Sequence, residues 1–524
     1  MPYYLALKAV NFDYSVYDTH DISTIRGGSF AILQAFRHLN KDSLRAQLQT
    51  AEYAAHAFVE VDVLSTASSE ALLCISSEDA EAAQAIKSVC LKLLRGKIGE
   101  FATVVAALTR EDGLDFPTLL QRLEAECRWQ QYQSLSFVPP YPEHPSPNMA
   151  KNLACEVDGV RPAVVKDGGK SVSRIVKIRR DNGRPLRNQI YNEILERNDA
   201  FSTEQAADQP DDVTFTSDLN RLADDPAQGR ANGKIAYIYL DGNRFGTIKK
   251  QVCVTPQALK DFQTYVQKEL REPALKAILK EALATPAFRA QNGEIRMETL
   301  MWGGDEMEWI VPAWQAFALL RAFFETAAKK QRYTSETHTA PVFLTHAGGV
   351  VFCRANLPIL QVRRYARSLC EFAKTALKNR IKARDPQGIF RIEHLDDSAN
   401  VVAALDMTAF DLVKGDIESF IAAYHQPASP REFVLTASEL LALEEPLQKV
   451  KASFPRTKLF DVLDALRNAE QPDVRIEEIL KRVKTLLPKQ TQDILTQALE
   501  TILQGNPHRW FVIADLLDYV GDTI

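Results

Sequence analysis

The sequence predicts an α+β protein in which two units of alternating strands and helices precede an α-helical carboxy-terminal domain. Three observations carry this. Residues 1–135 and 234–408 each alternate β-rich runs with stretches of helical apolar spacing. The string VPPYPEHPSPN at 138–148 carries five prolines, which cannot sit inside regular elements. Beyond Asp411 the β-rich runs give out. A chain of 524 residues has room for three or four structural units at roughly 100–200 residues each. The expected domains are therefore 1–135, a connector at 136–232, 233–409 and a helical 410–524.

In the first unit the β-rich runs are Tyr3 to Val10, Phe58 to Leu64 and Ala71 to Ile75, and Ser29 to His38 and Ala80 to Arg95 read as helices. In the second, IAYIYL after Lys234 is a buried-strand run and Pro256 to Ala284 is helical. Met297 to Pro312 reads strand–turn–strand, and Ala313 to Lys330 reads helix. A strand is then expected at Val342 to Phe352, a helix at Pro358 to Lys382, and strands at Ile389 to Leu395 and Val401 to Asp406. Polar, Pro/Gly-containing residues 200–232 predict a mobile loop.

The composition is 46% hydrophobic and 25% charged, with a net charge of −5 and a pI near 6.1, which excludes collagenous and fully disordered classes and a global basic field. Seven scattered cysteines without CxxC spacing fit a reducing compartment. No apolar run reaches the ~18 residues that span a bilayer, so the expected location is cytoplasmic, with no membrane partner. The connector is lopsided. Nine Lys/Arg between Arg161 and Ile190 face two acids, and ten acids between Tyr191 and Asp225 face two arginines. Either the halves partly neutralise each other, or the basic run 161–190 contacts the phosphates of RNA.

Two stretches concentrate the chemistry. In IAYIYLDGNRFG an apolar strand delivers Asp241 at its end and passes through glycine-containing backbone into a helix, a turn whose N–H groups suit a phosphate, although Asp-Gly is also a common plain turn. In LMWGGDEMEWIV two apolar strands flank Gly303-Gly304-Asp305-Glu306, the signature of a tight hairpin with carboxylates at its tip. Two glycines then two acids are expected by chance about 0.015 times in a chain of this composition. A strand-end Asp and a hairpin-tip Asp-Glu can converge on a hard divalent cation that also holds substrate phosphates, which reads as nucleotidyl transfer.

At these residues the segment 235–408 resembles the palm domain shared by GGDEF diguanylate cyclases and the large subunit of type III CRISPR effector complexes. The resemblance rests on YLDGNRFG at 239–246, GGDE at 303–306 and THAGGVVFCRANLPILQVRRYARSLCEFAKTALKN at 345–379, and the type III subunit is the nearer match. It implies Asp241 and Asp305 as ligands of Mg²⁺ or Mn²⁺, and Glu306 as an aid to deprotonating the attacking hydroxyl or a ligand of a second ion. Gly242, Asn243, Arg244, Phe245 and Gly246 would cradle a triphosphate beside Gly303 and Gly304, with Lys374 and Lys378 neutralising it. Asn243 stands where the family often has aspartate, GGDE replaces its GGDD, and Met307 replaces the phenylalanine of GGDEF. That last departure argues against cyclic di-GMP as product.

The first unit resembles the same palm without its acids. PYYLALKA at 2–9 parallels IAYIYLDG, setting Lys8 on Asp241, and VLSTASSEALLCI at 63–75 parallels the hairpin, setting Glu70 on Asp305 and Ala71 on Glu306. The implied fold is thus two ferredoxin-like palm domains, the first degenerate and the second catalytic, plus the helical domain. Paired palms in one chain make oligomerisation unnecessary, and Lys8 is expected at the phosphates of a second nucleotide. Arg26-Gly27-Gly28-Ser29 is a candidate phosphate-binding helix start, while Cys155 alone predicts no zinc, and His20-Asp21 lacks the further ligands of an HD nuclease. The expected activity is that of a metal-dependent nucleotidyltransferase that makes a cyclic oligonucleotide messenger in antiviral defence, with ATP favoured as substrate and pyrophosphate released. The rival is a scaffold subunit of a CRISPR-like ribonucleoprotein.

Overall fold

The computed structural model describes residues 1–133, 154–196, 214–335, 338–384, 406–412 and 434–521, apart from 51, 57 and 217. Its first unit comprises β1 (Tyr3–Val10), α1 (Ile22–Arg37), β2 (Glu60–Thr66), β3 (Glu70–Ser76), α2 (Ala80–Ile98), β4 (Thr103–Arg110) and α3 (Phe116–Gln133). The strands alternate side chains between faces. Leu5, Leu7 and Ala9 therefore pack under α1 and α2, while Tyr4 and Ala6 meet Leu119, Leu123 and Cys127 of α3. The sheet order is β2-β3-β1-β4, antiparallel throughout.

A small hairpin, β5 (Val165–Asp167) and β6 (Lys170–Val172), and the long helix α4 (Arg174–Glu196) follow. The second unit then runs β7 (Lys234–Gly242), α5 (Phe245–Val252), α6 (Pro256–Tyr265), a π turn (Val266–Arg271), α7 (Glu272–Ala284), β8 (Glu298–Gly303), β9 (Glu306–Pro312) and α8 (Ala316–Ala328). After it come β10 (Arg332–Ser335), β11 (His338–Phe343), β12 (His346–Arg354), α9 (Ile359–Arg384), β13 (Met407–Leu412) and β14 (Val434–Thr436). The order β14-β13-β12-β7-β9-β8 contains β12-β7-β9-β8, which repeats the first unit's β4-β1-β3-β2 strand for strand. Six principal helices between Ala437 and Leu516 form the carboxy-terminal region. They dock at the start of β7, where Lys234 Nζ donates to the Tyr519 hydroxyl (3.0 Å) and Phe352 stacks on Tyr519. That is the end of the strand opposite Asp241.

Several expectations change. The strand expected at Val342 to Phe352 is two, β11 and β12, and Pro256 to Ala284 is broken by the π turn. β13 crosses the boundary expected at 409/410, because it pairs in parallel with β12 and completes the second sheet. Within 200–232, residues Leu219–Ala223 and Pro226–Ala231 are helical turns. The proline-rich break and the strands expected at 389–395 and 401–406 lie outside the described residues, Asp406 excepted.

The basic run 161–190 is consumed inside the fold. Arg161 and Arg179 bind Asp18, Arg180 binds Asp21 and Asp167, Lys177 binds Asp167 and Asp181, and Arg187 binds Glu298. Most of the cations expected to meet RNA in 161–190 therefore already face carboxylates, several of them buried. Arg26-Gly27-Gly28-Ser29 likewise lies one turn inside α1, which starts at an Asp21 cap, so it opens no helix. A Cβ on Gly27 would stand 1.7 Å from the carbonyl oxygen of Arg179, and this close approach is what lets α4 cross α1.

Glu298 is fully buried between Arg26 of α1 and Arg187 of α4. Glu298→Gln is expected to cost about 3–5 kcal/mol in urea unfolding, since it strands two buried guanidinium groups. Gly96→Ala, exposed in the last turn of α2 with open space for a methyl, should instead gain about 0.5 kcal/mol.

Candidate active site

The carboxylates meet because of strand register. Asp241 ends β7 directly opposite Glu306, the first residue of β9, so both side chains rise from one face of the sheet. Asp305 sits in the intervening turn, which needs Gly304 at φ 61°. The Gly242 N–H donates to the Asp305 carbonyl (3.1 Å), locking the hairpin tip to the strand end. On that same face α9 crosses β12 at Gly349, where a Cβ would lie 1.9 Å from the Ala366 carbonyl oxygen. This contact lowers α9 until Lys374 Nζ reaches Asp241 Oδ2 at 2.5 Å and Glu371 Oε1 at 3.0 Å.

Burial pushes the Asp241 carboxyl up to about 6. Lys374 opposes the shift by hydrogen bonding, while Asp305 and Glu306 add repulsion. Three acids thus feel one another at the end of β7, a donor set of hard oxygens suited to a divalent cation. Among the described residues no three His, Cys, Asp or Glu side chains are gathered closely enough to hold a metal by themselves. Mg²⁺ does not require that, since it binds through one or two carboxylates with waters and substrate phosphates completing its shell.

The expected cradle is smaller than the sequence suggests. Besides the Gly242 amide, the Asn243 amide is taken, donating to the Thr345 carbonyl (2.8 Å). The Asn243 side chain is buried and donates to Thr345 Oγ1 (3.1 Å), so it faces the fold rather than a ligand. Phe245 is buried against His346, with ring centroids 5.4 Å apart. Arg244, at φ 58°, and Gly246 are exposed at the start of α5. Lys378, one turn beyond Lys374, is exposed too. His346 is packed between Phe245 and Phe323, and burial drives its imidazole down to about 3.

In the first unit, Lys8 pairs across the sheet with Glu70 just as Asp241 pairs with Glu306. This register moves Glu70 onto Glu306 and not, as the alignment by sequence had it, onto Asp305. Lys8 is bound by Glu124 of α3 and by Glu70 (3.2 Å), so its charge is already answered and it does not stand free for a second nucleotide's phosphates. Burial pushes Glu70 up, yet Lys249 of α5 and Lys8 hold it at about 2. The hairpin tips of the two units touch: a Cβ on Gly303 would lie 2.0 Å from that of Ser68.

Two cations escaped sequence reasoning. Arg367 lies over the Tyr239 ring (5.7 Å) within reach of the Glu306 charge, and spacing along α9 from Lys374 could have shown it. Arg271, buried at the end of the π turn, had no signal, because a helical period places it differently.

The fold so built is similar to that of Csm1. Csm1 from T. onnurineus matches with a TM-score of 0.52 and 12% identity over 99% of this chain and 70% of that one. A Csm1-Csm4 cassette in complex with cA4 matches with a TM-score of 0.50 and 11% identity over the same shares. No protein family and no curated protein matches the chain. Among the described residues no helix is long and apolar enough to cross a membrane.

Followed by carboxyl ¹³C resonances and assigned through Asp241→Asn, Asp241 is expected to titrate near pH 6. Lys374→Met should raise that midpoint and Asp305→Asn should lower it, since the first removes a cation and the second an anion.

Proposed function

We propose that the chain is a metal-dependent nucleotidyltransferase that joins or cyclises nucleotides, ATP foremost, with release of pyrophosphate. The observation that carries this reading is the register that sets Asp241 opposite Glu306, with Asp305 of the adjoining β8–β9 turn tied to the strand end through the Gly242 amide. In this reading the two ferredoxin-like units are paired palms, the second catalytic. Asp241 and Asp305 would hold Mg²⁺ or Mn²⁺, which when bound stabilises charge on the reacting phosphate and activates the attacking hydroxyl. Glu306 accepts the proton of that hydroxyl. Lys374, paired with Asp241 in this state, swings to the triphosphate together with Lys378, and the first-turn amides of α5 orient the phosphates. The cA4 bound in the Csm1-Csm4 structure of similar fold supports a cyclic oligonucleotide as product, and antiviral defence is the setting we propose for it.

A second reading, as an assembly subunit, draws on the Csm4 partner in that same structure. Pull-down of a tightly bound protein or RNA by a chain without turnover would favour it.

With ATP and Mn²⁺ the protein is expected to release pyrophosphate, and mass spectrometry should identify the nucleotide product. Asp305→Ala should lower the rate by more than the roughly 100-fold that loss of a ligand's hydrogen-bond partner costs. At subsaturating Mn²⁺, kcat/KM should fall as pH drops through about 6, where Asp241 of the free enzyme takes up a proton that the metal must displace. Absence of metal-dependent release from the parent protein rules the reading out.

A further inference from the structure

Behind the touching hairpin tips lies a cavity of about 490 Å³ that the chemistry above does not use. Thr66 and Ser68 of the first unit's turn form one wall, and Trp302 and Gly303, two residues before Asp305, form another. Arg271 lines it from the π turn. Its side chain is only 6% exposed, its Nε has no hydrogen-bond partner, and no carboxylate pairs with it among the described residues. The two acids lining the same cavity are already answered, Glu193 by Arg37 (3.6 Å) and Glu272 by Lys268 (2.8 Å).

A guanidinium taken out of water without an anion is costly and has to be explained. Desolvation brings Arg271 down to about 10, and the attraction of Asp305 only partly offsets it. The π turn is a second observation that sets the residue apart, because such widened turns interrupt a helix at a cost and recur at functional sites.

We propose that this cavity binds a phosphate chain, with Arg271 as its anchor. The planar guanidinium fork matches phosphate oxygens two at a time. Hydroxyls of Thr66 and Ser68 and the Nε2 amide group of Gln34 can donate to those oxygens. In assigning the ligand to nucleotide chemistry the proposal rests on the function proposed above. It seats that phosphate chain apart from Lys374, on the far side of the hairpin tip.

The test is calorimetric titration of the full chain in EDTA with pyrophosphate, ATP and adenosine, alongside thermal melting. Pyrophosphate and ATP are expected to bind and adenosine not to. Arg271→Met should weaken both at least tenfold, with partial recovery in Arg271→Lys. Without ligand Arg271→Met should melt no lower than the parent, since it removes an unpaired buried cation. Equal affinity for pyrophosphate and ATP assigns the site to the free phosphate chain, and tenfold tighter ATP assigns it to the nucleotide. Binding unchanged by Arg271→Met overturns the proposal, as does a variant that melts well below the parent and leaves anion binding intact. Asp305→Ala should abolish pyrophosphate release yet keep the Arg271-dependent binding. A parent that binds but never turns over therefore sinks the enzymatic reading alone.

Discussion

The relative position of the two units depends on two buried carboxylates. Glu298 joins Arg26 of the first unit to Arg187 of the connector helix. Glu308, also fully buried, accepts from Tyr17 of the first unit (3.3 Å) and Tyr237 of the second (2.5 Å), and it pairs with Arg363 (2.9 Å), whose guanidinium lies 3.4 Å from the centre of the Tyr17 ring. Buried ion pairs add little net stability, but removing one partner is heavily penalised. They therefore define a relative position more than they strengthen it. That position is the one in which Ser68 presses on Gly303.

The active-site charge follows from the same rigidity. Asp241, Asp305 and Glu306 are held near one another by the β7–β9 ladder and cannot move apart, so burial and mutual repulsion together keep Asp241 partly protonated around pH 6. Lys374 relieves that repulsion in the resting state. A cation entering with a nucleotide would do so more completely, and this is the physical reason to regard the cluster as poised for one.

The first unit shows the same framework with its charges rearranged. A lysine at the strand end takes two carboxylates, and Glu70 in turn takes Lys249 from the second unit's first helix. What was an acidic centre in the second unit has become a neutralised tie between units. Glu70 is held at about 2 and Asp241 near 6: both are buried, but Glu70 meets two lysines, whereas Asp241 meets one lysine and the like charges of Asp305 and Glu306.

Local chemistry settled much of this in advance. Strand ends, the Gly-Gly-Asp-Glu turn, the repeated strand order and Lys374 were legible because period-2 patterns, turn residues and motif spacing are short-range properties. The register of Glu70 was misread by one residue because a polar hairpin tip carries no apolar pattern to fix it. The roles of Asn243, Lys8 and the 161–190 arginines, and the existence of the Arg271 cavity, belonged to tertiary structure alone. Each turns on which distant group a side chain meets: Thr345, Glu124, Asp18 and Glu298, or none at all. A sequence names the charges, but only packing decides which of them are answered.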